Sequence, residues 1–522
     1  MDFIKRCILI VNIFLPVTLL CQDFNIIPYP VKVEKRKGFF ELKSNTVIIH
    51  GENLNIKAKQ LKDYLDPATG FDIKIGSSNI QSNQIILNIN KKLADLGDEG
   101  YTLEVSQNKI LVEASHTNGL FYAFQTLLQL LPKDILRHSK AKDVKWHIPN
   151  CSIYDMPEFQ WRGLMIDYSR TFWNNRITRK YIDAMAFYKL NKLHMHLTDD
   201  QGWRIDINKY PKLTEFASKF DTIYHESNEK EGFFSQTDIR EIISYAEERN
   251  VEIIPEIEMP GHSSEVFSVY PELSCNGERT KIHPYTLGPG IHEEIFCAGN
   301  DDTFVFLNNV LFEIIDLFPS NYIHIGGDEA PKDQWRACAK CQLRIIDEGL
   351  KDEHELQSWF VKQIETFIST HNKTMIGWDE IVEGGLSRTA TVMYWRGWEK
   401  EVPEFVLNQG NNIIMTPTSH CYFDYTYETI STEKVYSYCP IPAGLNKEYE
   451  KKILGVQANF WSHLNRIEPE MDRQIFPRLL ALAEVGWSKE SNKKWEDFTL
   501  RLNNHLEILE ILDIYYHEIG IH

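Results

Sequence analysis

The sequence lacks the positive charge that proteins of nucleic acids and anionic membranes use. Its 522 residues include 56 Lys and Arg against 74 Asp and Glu, a formal net charge of −18 at pH 7. A surface of this sign repels phosphate backbones and anionic lipid headgroups. Nucleic acid and membrane surfaces are therefore not expected as partners.

Long hydrophobic runs are also missing after the N-terminal stretch MDFIKRCILIVNIFLPVTLLC. In that stretch Lys5 and Arg6 precede an apolar core of the length that export signals use, which is short for a membrane span. The pattern predicts a signal peptide over residues 1–21 and an exported protein, located in the periplasm, at the outer membrane or outside the cell.

Cys21, at the end of this apolar run, leaves two outcomes open. A lipid anchor on Cys21 is one of them. The other is simple cleavage near Gln22, because Leu20 is bulkier than lipoprotein signals usually allow. The sequence does not decide between a lipoprotein and a soluble exported protein.

Cysteine is sparse and does not form the even, closely spaced pattern of a disulfide framework. Beyond the leader the chain has Cys151, Cys275, Cys297, Cys338, Cys341, Cys421 and Cys439. Cys338 and Cys341, in the run CAKC, have the spacing of a metal knuckle, but a zinc site needs a second ligand pair, and none stands at the usual interval. A local disulfide or two free thiols is therefore preferred over zinc, and neither metal nor cofactor is expected.

The length exceeds that of one ordinary compact domain and predicts two. Over residues 22–150 short strands mix with helices: TLEVSQNKILVEA alternates as two strands joined by a polar turn, and NGLFYAFQTLLQLL is typical of a helix that Pro132 ends. This region predicts a small α+β domain. Over residues 151–522 short apolar runs alternate with longer helical stretches, which is the rhythm of parallel βα units.

Eight of these apolar runs have the character of parallel strands. They begin at Trp161, Leu193, Glu252, Tyr322, Thr374, Thr391, Asn412 and Leu454. Helical stretches such as TRKYIDAMAFYKLN and HELQSWFVKQIETFI lie between several of them. The predicted fold class is α/β, with a (β/α)8 TIM barrel preceded by the small α+β domain.

Polar and aromatic side chains crowd the C-terminal ends of the predicted strands. In a (β/α)8 barrel these ends meet at one face, where active sites lie. Acids, one Arg, one His and several Trp, without a thiolate cluster or a glycine-rich phosphate loop, suit a neutral polyhydroxylated ligand such as a sugar. The residues are Asp167, Arg170, Asp199, Asp200, Glu258, His262, Asp328, Glu329, Trp378, Asp379, Trp395, Tyr422, Asp424 and Trp461.

Two adjacent acids, Asp328 and Glu329 in IHIGGDEA, follow the fourth predicted strand. Neighbouring residues of a strand point to opposite sides, so the two could not simply flank a glycosidic bond as acid and nucleophile. A turn at the strand end would bring both into one pocket with different roles. This fits substrate-assisted glycoside hydrolysis, in which the 2-acetamido carbonyl of the sugar is the nucleophile. Taken alone, the pair fits a solvated loop end or a helix N-cap equally well.

Seven sequence blocks, in chain order, resemble the β-N-acetylhexosaminidases of glycoside hydrolase family 20. They are WRGLMIDYSR, KLNKLHMHLTDDQGWRI, PEIEMPGHS, YIHIGGDEA, GWDE, YWRG and HCYFDY. The preceding α+β domain resembles the non-catalytic N-terminal domain of the family. The resemblance implies an exo-acting enzyme that removes terminal β-linked N-acetylglucosamine or N-acetylgalactosamine from a glycan substrate, without a metal.

The resemblance also implies roles for single residues. Glu329 would be the general acid and later the base for water, Asp328 would hold the acetamide N–H and stabilise an oxazolinium intermediate, and Tyr422 would donate to the acetamide oxygen. The implied substrate-binding residues are Arg170 and Asp424 at the outer hydroxyls, Trp378, Trp395 and Trp461 around the sugar, and Asp199 with His262 as a buried pair that supports the acid.

His463, in FWSHLNR, departs from the family pattern, which commonly has Glu at this place. A carboxylate accepts two hydroxyl donors, whereas neutral imidazole offers one acceptor and one donor. The acid step should not change. The preference at C4 and C6 is open between gluco, galacto and 6-substituted sugars, and a protonated ring would favour a sulfated one. His463 is therefore included among the substrate-binding residues.

Other interpretations stay open at this point. A carbohydrate-binding barrel without hydrolytic activity would keep the aromatic residues, and a disaccharide-releasing or 6-sulfo-GlcNAc-specific enzyme of the same family would share the acid pair. The three tryptophans could be plain core, and Arg170 and His262 could serve only structural pairing. His194 and His196, in LHMHL, are expected to make polar contacts inside the barrel rather than bind metal.

Overall fold

The first domain is built on one seven-stranded sheet. The computed structural model describes residues 24–76, 83–288 and 290–518, so the predicted signal peptide and Cys21 lie outside the described residues. The order in the sheet is β1-β7-β5-β6-β4-β2-β3. The strands are β1 Lys32–Glu41, β2 Val47–His50, β3 Lys74–Gly76, β4 Gln84–Ile89, β5 Tyr101–Val105, β6 Lys109–Ala114 and β7 His147–Asp155.

Two helices accompany this sheet, α1 Asn55–Thr69 and α2 Thr117–Leu130. Helix α2 is buried on nearly all sides, since it packs against the sheet and also reaches the second domain, where Gln129 Nε2 donates to the Phe187 carbonyl at 3.1 Å. The predicted hairpin is β5 and β6, and the predicted helix before Pro132 is α2.

The second domain is a closed barrel of eight parallel strands, in the order β12-β13-β14-β15-β16-β17-β8-β9. A short hairpin of β10 and β11 follows β9. The (β/α)8 fold predicted from the strand rhythm is confirmed. The strands are β8 Trp161–Asp167, β9 Lys192–His196, β10 Thr198–Asp199, β11 Gly202–Trp203, β12 Glu252–Glu256, β13 Tyr322–His324, β14 Thr374–Trp378, β15 Thr391–Tyr394, β16 Ile413–Met415 and β17 Ile453–Phe460.

Helices cover the outer face of the barrel and strand side chains fill its interior, which is why every residue of β8 and β17 is buried. Helix α5 begins with a capping box between Ser235 and Asp238. The helices are α3 Asn175–Phe187, α4 Lys212–Glu215, α5 Gln236–Glu247, α6 Ser264–Phe267, α7 Asp301–Leu317, α8 Asp333–Ala337, α9 Ala339–Asp347, α10 Glu353–Thr370, α11 Val402–Asn408, α12 Thr418–Cys421, α13 Thr432–Tyr436, α14 Lys447–Glu450, α15 Glu468–Ile475, α16 Arg478–Trp487 and α17 Trp495–Ile511.

The division between the domains lies a few residues later than predicted. The sequence placed it after residue 150, but β7 pairs with β1 and β5 up to Asp155 and belongs to the first sheet. Asp155 is itself an interdomain anchor, because it accepts from Lys189 Nζ at 2.8 Å and from Trp487 Nε1 at 2.9 Å, all three side chains being buried. A buried lysine needs such a partner to stay charged.

Within residues 24–76, 83–288 and 290–518, none of the helices combines the length and the apolar character that crossing a bilayer requires.

Candidate active site

Glu256, at the end of β12, is the centre of a buried hydrogen-bond layer inside the barrel. Its Oε2 lies 3.0 Å from His194 Nε2 and 2.5 Å from His196 Nδ1, and its Oε1 lies 2.8 Å from both His324 Nδ1 and Trp378 Nε1. Burial alone would raise the pKa of Glu256, but the surrounding histidines hold that pKa well below its usual range. This layer fixes Trp378 from beneath.

A sharp turn after β13 exposes the acid pair to the barrel mouth. Gly326 has φ 69°, Gly327 has φ 96°, and Glu329 itself has φ 44°. Glycine is required at the first position, because a Cβ on Gly326 would lie 1.5 Å from a carboxylate oxygen of Glu258. The turn buries Asp328, which is 8% exposed, and leaves the side chain of Glu329 37% exposed.

His262 links this pair to a second pair of acids. Its Nε2 lies 3.4 Å from Glu329 Oε2 and 3.7 Å from Asp328 Oδ2. Its Nδ1 lies 3.1 Å from Asp199 Oδ1 and 3.3 Å from Asp200 Oδ2. Burial disfavours a charged ring, but these carboxylates raise the pKa of His262 well above its usual value. A cationic imidazole therefore stands directly behind the acid pair.

Asp328 is a buried acid with spare hydrogen-bonding capacity. Burial and the neighbouring charge of Glu329 raise its pKa to about 6, while His262 acts in the opposite direction. Among the described residues no group hydrogen-bonds to its Oδ1. A buried oxygen without a partner is costly, so this atom is suited to a donor that arrives with a ligand.

Aromatic rings form the walls of the pocket beside the acids. Trp395 stacks on Tyr422 with ring centroids 6.1 Å apart, Tyr422 is 6.4 Å from Trp461, and Trp461 is 5.9 Å from Trp378. Trp395 is held by a hydrogen bond from its Nε1 to Glu380 Oε2 at 2.8 Å. The three tryptophans come from the ends of three different strands and pack in one cluster, in which Trp378 is buried and Trp395 and Trp461 are partly exposed.

Arg170 is held rigidly at the outer part of the site. Its Nη2 lies 2.7 Å from Asp199 Oδ2, its Nε donates to Gln201 Oε1 at 2.8 Å, and its guanidinium lies 5.0 Å from the centre of the Trp461 ring. The carboxylate of Asp167 accepts from the backbone N–H of Arg170 at 3.0 Å. A guanidinium fixed in this way keeps its remaining N–H groups in one orientation, as recognition of sugar hydroxyls requires.

Asp424 and His463 extend the site near Arg170. Burial raises the pKa of Asp424 to about 7, and its Oδ1 has no hydrogen-bond partner in the described chain. Burial and the nearby charge of Arg170 lower the pKa of His463 to about 4. The ring of His463 is therefore neutral at pH 7 without a bound sugar, and the preference at C4 and C6 stays a prediction. Its centroid is 4.7 Å from the ring of Tyr285.

Four groups of His, Asp and Glu at this face have ligand atoms within 4.8 Å of one another, and each could geometrically hold a metal ion. In each group the same atoms pair with one another as imidazole and carboxylate, which already accounts for their closeness. The fold therefore does not need a metal to explain the arrangement. The groups are His194–Glu256–His324, His196–Glu256–Glu258, Asp199–Asp200–His262 and His262–Asp328–Glu329.

The site residues named from the sequence converge on this face, whereas several of their supports were missed. The contacts above connect Glu329, Asp328, His262, Asp199, Arg170, Trp461, Trp378, Tyr422 and Trp395 in one network, with Asp424 and His463 near Arg170. Glu256, Gln201, Tyr285 and Glu380 were not singled out. The alternation in PEIE at the end of β12 was the available signal for Glu256, because alternation places Glu256 and Glu258 on one side of the chain, and both face His196 inside the barrel.

Comparison with family models gives two matches that divide the chain as the domains do. The model described as glycosyl hydrolase family 20, catalytic domain, matches residues 159–490. The model described as glycosyl hydrolase family 20, domain 2, matches residues 23–156.

Curated relatives agree. A beta-hexosaminidase of Porphyromonas gingivalis is 40% identical over 510 residues, which cover 95% of this chain and 64% of that protein. A beta-hexosaminidase of Akkermansia muciniphila is 31% identical over 430 residues, 80% of this chain and 85% of that protein. This chain thus spans less than two thirds of the first relative's length and most of the second's.

Solved structures share this fold over nearly the whole chain. The family 20 β-N-acetylhexosaminidase of Streptomyces coelicolor superposes with a TM-score of 0.84 at 28% identity, covering 95% of this chain and 98% of that one. A mutant Streptomyces plicatus β-hexosaminidase in complex with its product, GlcNAc, gives a TM-score of 0.83 at 29% identity, covering 95% and 97%. The chain therefore belongs to glycosyl hydrolase family 20, as its sequence blocks indicated, and is a glycoside hydrolase.

Proposed function

We propose that the protein is an exo-acting β-N-acetylhexosaminidase that removes terminal β-linked N-acetylglucosamine or N-acetylgalactosamine from glycans. The proposed mechanism retains configuration at C1 and uses the substrate's own acetamide as nucleophile, with Glu329 as acid and base. Relatives that carry the name beta-hexosaminidase support the activity. The unequal surroundings of Asp328 and Glu329 support the mechanism.

The main support for this mechanism is that the adjacent carboxyl groups of Asp328 and Glu329 differ in exposure and that one buried oxygen of Asp328 has no hydrogen-bond partner among the described residues. Glu329 is accessible at the barrel mouth, whereas Asp328 is buried beside aromatic walls with one oxygen unpaired. Both lie on the same side of the pocket, next to His262 Nε2. An ordinary retaining pair needs two carboxyl groups about 5–5.5 Å apart on opposite sides of the scissile bond. An acid beside an amide-orienting carboxylate fits this geometry better.

In the first step Glu329 gives its proton to the glycosidic oxygen as the bond to C1 breaks. The acetamide carbonyl oxygen bonds to C1 and forms a cyclic oxazolinium ion. Asp328 accepts the acetamide N–H on its free oxygen and stabilises the positive charge that develops there. Tyr422 donates its hydroxyl to the acetamide oxygen. The tryptophans enclose the ring and methyl group and exclude water.

In the second step Glu329, now a carboxylate, takes a proton from water as the water oxygen attacks C1. The C1–oxazoline bond breaks, and the acetamide is restored with retained configuration. His262 holds a positive charge behind both acids and favours the ionised form of Asp328. Arg170 and Asp424 bind the outer hydroxyls of the terminal sugar, which makes the site suited to chain ends.

The direct test is release of an aryl leaving group from aryl β-N-acetylglucosaminide and aryl β-N-acetylgalactosaminide. Glu329→Gln is the matched variant, because it keeps the shape and removes the proton. Hydrolysis by the wild type and its loss in the variant are expected. No release from the wild type would favour a carbohydrate-binding barrel. An aryl glucoside with hydroxyl in place of the acetamide should react far more slowly, and equal rates would refute substrate assistance.

The same proposal includes export, on the basis of the N-terminal leader alone. Mass spectrometry of the mature N-terminus should find the chain beginning at Cys21 with lipid attached, or close to Gln22 without lipid. A chain that retains Met1 in the cell would refute export. The Cys21→Ser variant separates the two routes, because only a lipoprotein loses its membrane association on this change.

A further inference from the structure

Four cysteines, two before α7 and two after β13, converge on one point beside the barrel. Cys275 and Cys297 lie in the segment after β12, whereas Cys338 precedes α9 and Cys341 lies in its first turn. Cys341 Sγ is 3.7 Å from both Cys275 Sγ and Cys297 Sγ, and Cys297 Sγ is 3.8 Å from Cys338 Sγ. All four sulfur atoms lie within 4.8 Å of one another.

These separations match a tetrahedral thiolate site. Zinc binds cysteine sulfur at about 2.3 Å, so the edge of a regular four-sulfur tetrahedron is about 3.8 Å. We propose that Cys275, Cys297, Cys338 and Cys341 bind one structural Zn²⁺ ion. On binding, the four thiols lose their protons and supply all four ligands, which leaves no open position for a substrate.

This proposal differs from the expectation drawn from the sequence. The CAKC knuckle was set aside because no second ligand pair stands at the usual interval. The structure supplies the other two ligands from 41 to 66 residues upstream. Their distance along the chain hid them, because the fold of the intervening segment and α7 brings them to the knuckle.

The backbone around the four sulfurs is built to hold them. Ser274 and Phe296 form an isolated antiparallel bridge, and the Cys297 N–H donates to the Leu273 carbonyl at 2.9 Å, so the segments of the upstream ligands pair with each other. Gly299, just after Cys297, packs so closely on the knuckle that an added Cβ would lie 2.1 Å from the carbonyl carbon of Lys340. The approach of two backbones on either side of the sulfurs places the ligands without any bridging bond.

A disulfide interpretation fits the geometry less well. Cys341 is equally far from two partners, and Cys297 is about equally far from Cys341 and Cys338. No pair is selected, whereas a disulfide requires one pair at about 2.05 Å with a defined torsion. Three nearly equal sulfur–sulfur separations, with all four sulfurs within 4.8 Å of one another, are the arrangement that a central ion needs.

The ion would tie together two loops of the active-site face. The segment after β12 carries His262 as well as Cys275 and Cys297, and the segment after β13 carries Asp328 and Glu329 before it reaches the knuckle. Trp335 Nε1 reinforces this link by donating to the Phe296 carbonyl at 2.9 Å. The ion acts on stability and on loop placement, and it takes no part in bond breaking.

The test is a metal analysis of the full-length purified protein, without reducing agent or chelator. Inductively coupled plasma mass spectrometry should find about one zinc per chain that survives dialysis, as a closed tetrathiolate site predicts. Titration with p-hydroxymercuribenzoate should release this zinc as the cluster thiols react. Protein refolded or grown with Co²⁺ should show the intense thiolate-to-cobalt charge-transfer band and the ligand-field bands of a tetrahedral site.

Two cysteine variants, one inside the cluster and one outside it, test the assignment of the ligands. Cys338→Ser should lose most of the bound zinc and have a lower Tm. Cys439 is exposed and lies outside the cluster, so Cys439→Ser should have the zinc content and the Tm of the wild type. If Cys338→Ser does not fold, the cobalt spectrum of the wild type decides. The proposal is refuted by wild-type protein without zinc, by cobalt bands that lack thiolate charge transfer, or by a non-reduced mass with disulfides among the four cysteines.

Discussion

Replacing Asp328 by Asn should make the protein more stable and less active at the same time. In the folded protein the pKa of Asp328 is raised from 3.8 to about 6, chiefly by burial. A pKa of about 6 in place of 3.8 corresponds to about 3 kcal/mol of differential stability. Asn has nearly the same shape and carries no charge, so the variant avoids the cost of ionising this buried group.

The pH window follows from the direction of the shift. A carboxyl group whose pKa is higher in the folded state binds more protons there than in the unfolded chain. The contribution of Asp328 to stability therefore falls as pH rises from about 4 to about 6 and stays lower above that. The variant should exceed the wild type in Tm by a few degrees at pH 7. Near pH 4 the two should have the same Tm, which differential scanning calorimetry can measure.

Activity should move the other way. Asn cannot offset the positive charge of an oxazolinium ion, and removing one preorganised electrostatic contact of this kind costs about 10²–10³-fold in kcat. The loss should appear in kcat more than in KM, because the charge develops only in the transition state. Steady-state kinetics with an aryl β-N-acetylglucosaminide measures both constants.

The acidic limb of the kcat/KM profile supplies a control. In the wild type it should have an apparent pKa of about 6, because protonated Asp328 cannot stabilise the cation. Asp328→Asn should lose this limb, while Asp424→Asn should keep it, although the pKa of Asp424 is also raised. An Asp328→Asn variant with full activity, or one that is less stable than the wild type at pH 7, would refute the assigned role and burial cost.

Three further predictions concern other residues of the site. Glu329→Gln should lower kcat about 10²–10⁴-fold on a substrate with a poor leaving group. The first step on a dinitrophenyl glycoside should slow far less, because dinitrophenolate leaves without a proton. Equal losses for the two substrates in burst kinetics would contradict the acid role. His463→Glu should change the ratio of KM values for GlcNAc and GalNAc aryl glycosides. In the wild type the relative rate on 6-sulfo-GlcNAc should stay constant from about pH 5.5 to 7.5, because the ring of His463 is neutral over this range. An unchanged KM ratio, or a sulfate preference that rises toward low pH, would show this reasoning to be mistaken. Glu256→Gln should lower the free energy of unfolding, measured by urea denaturation, by about 3–5 kcal/mol, because His196 then loses a buried counter-charge. Glu252 lies on the same strand but is partly exposed, so Glu252→Gln should lower this free energy less. Similar losses in the two variants would argue against the buried layer.

The barrel was predictable because its signals are local. Most strands are short apolar runs, helices such as α3 and α5 are amphipathic, and parallel order makes the C-terminal ends of all strands meet. Asp199, Trp378 and Trp461 could therefore be assigned to one face before any contact was known. The domain division was misplaced because β7 continues an alternating pattern across residue 150, and only its pairing with β1 and β5 reveals its sheet.

What the sequence could not give are the features that depend on distant segments. Glu256 looks like one more acid in an acidic chain until three histidines from other strands surround it. The CAKC knuckle looks incomplete until the loop with Cys275 and Cys297 folds against it. The protonation of His463 also depends on neighbours, because Arg170 and burial together keep the ring neutral. In each case the chemistry of the residue is set by partners that no spacing rule connects to it.

The geometry of Asp328 and Glu329 follows partly from the local sequence and partly from contacts between distant segments. Alternation along a strand places adjacent residues on opposite sides, and this excluded a simple acid and nucleophile pair. The structure adds a turn in which Gly326 approaches Glu258 too closely for any side chain, and in which Glu329 takes a left-handed conformation. That turn directs both carboxyl groups to His262, one buried and one exposed. Under the proposed mechanism this difference in exposure gives the two acids their different roles, because the exposed Glu329 can reach a leaving group and the buried Asp328 can orient an amide, while the left-handed conformation of Glu329 costs stability.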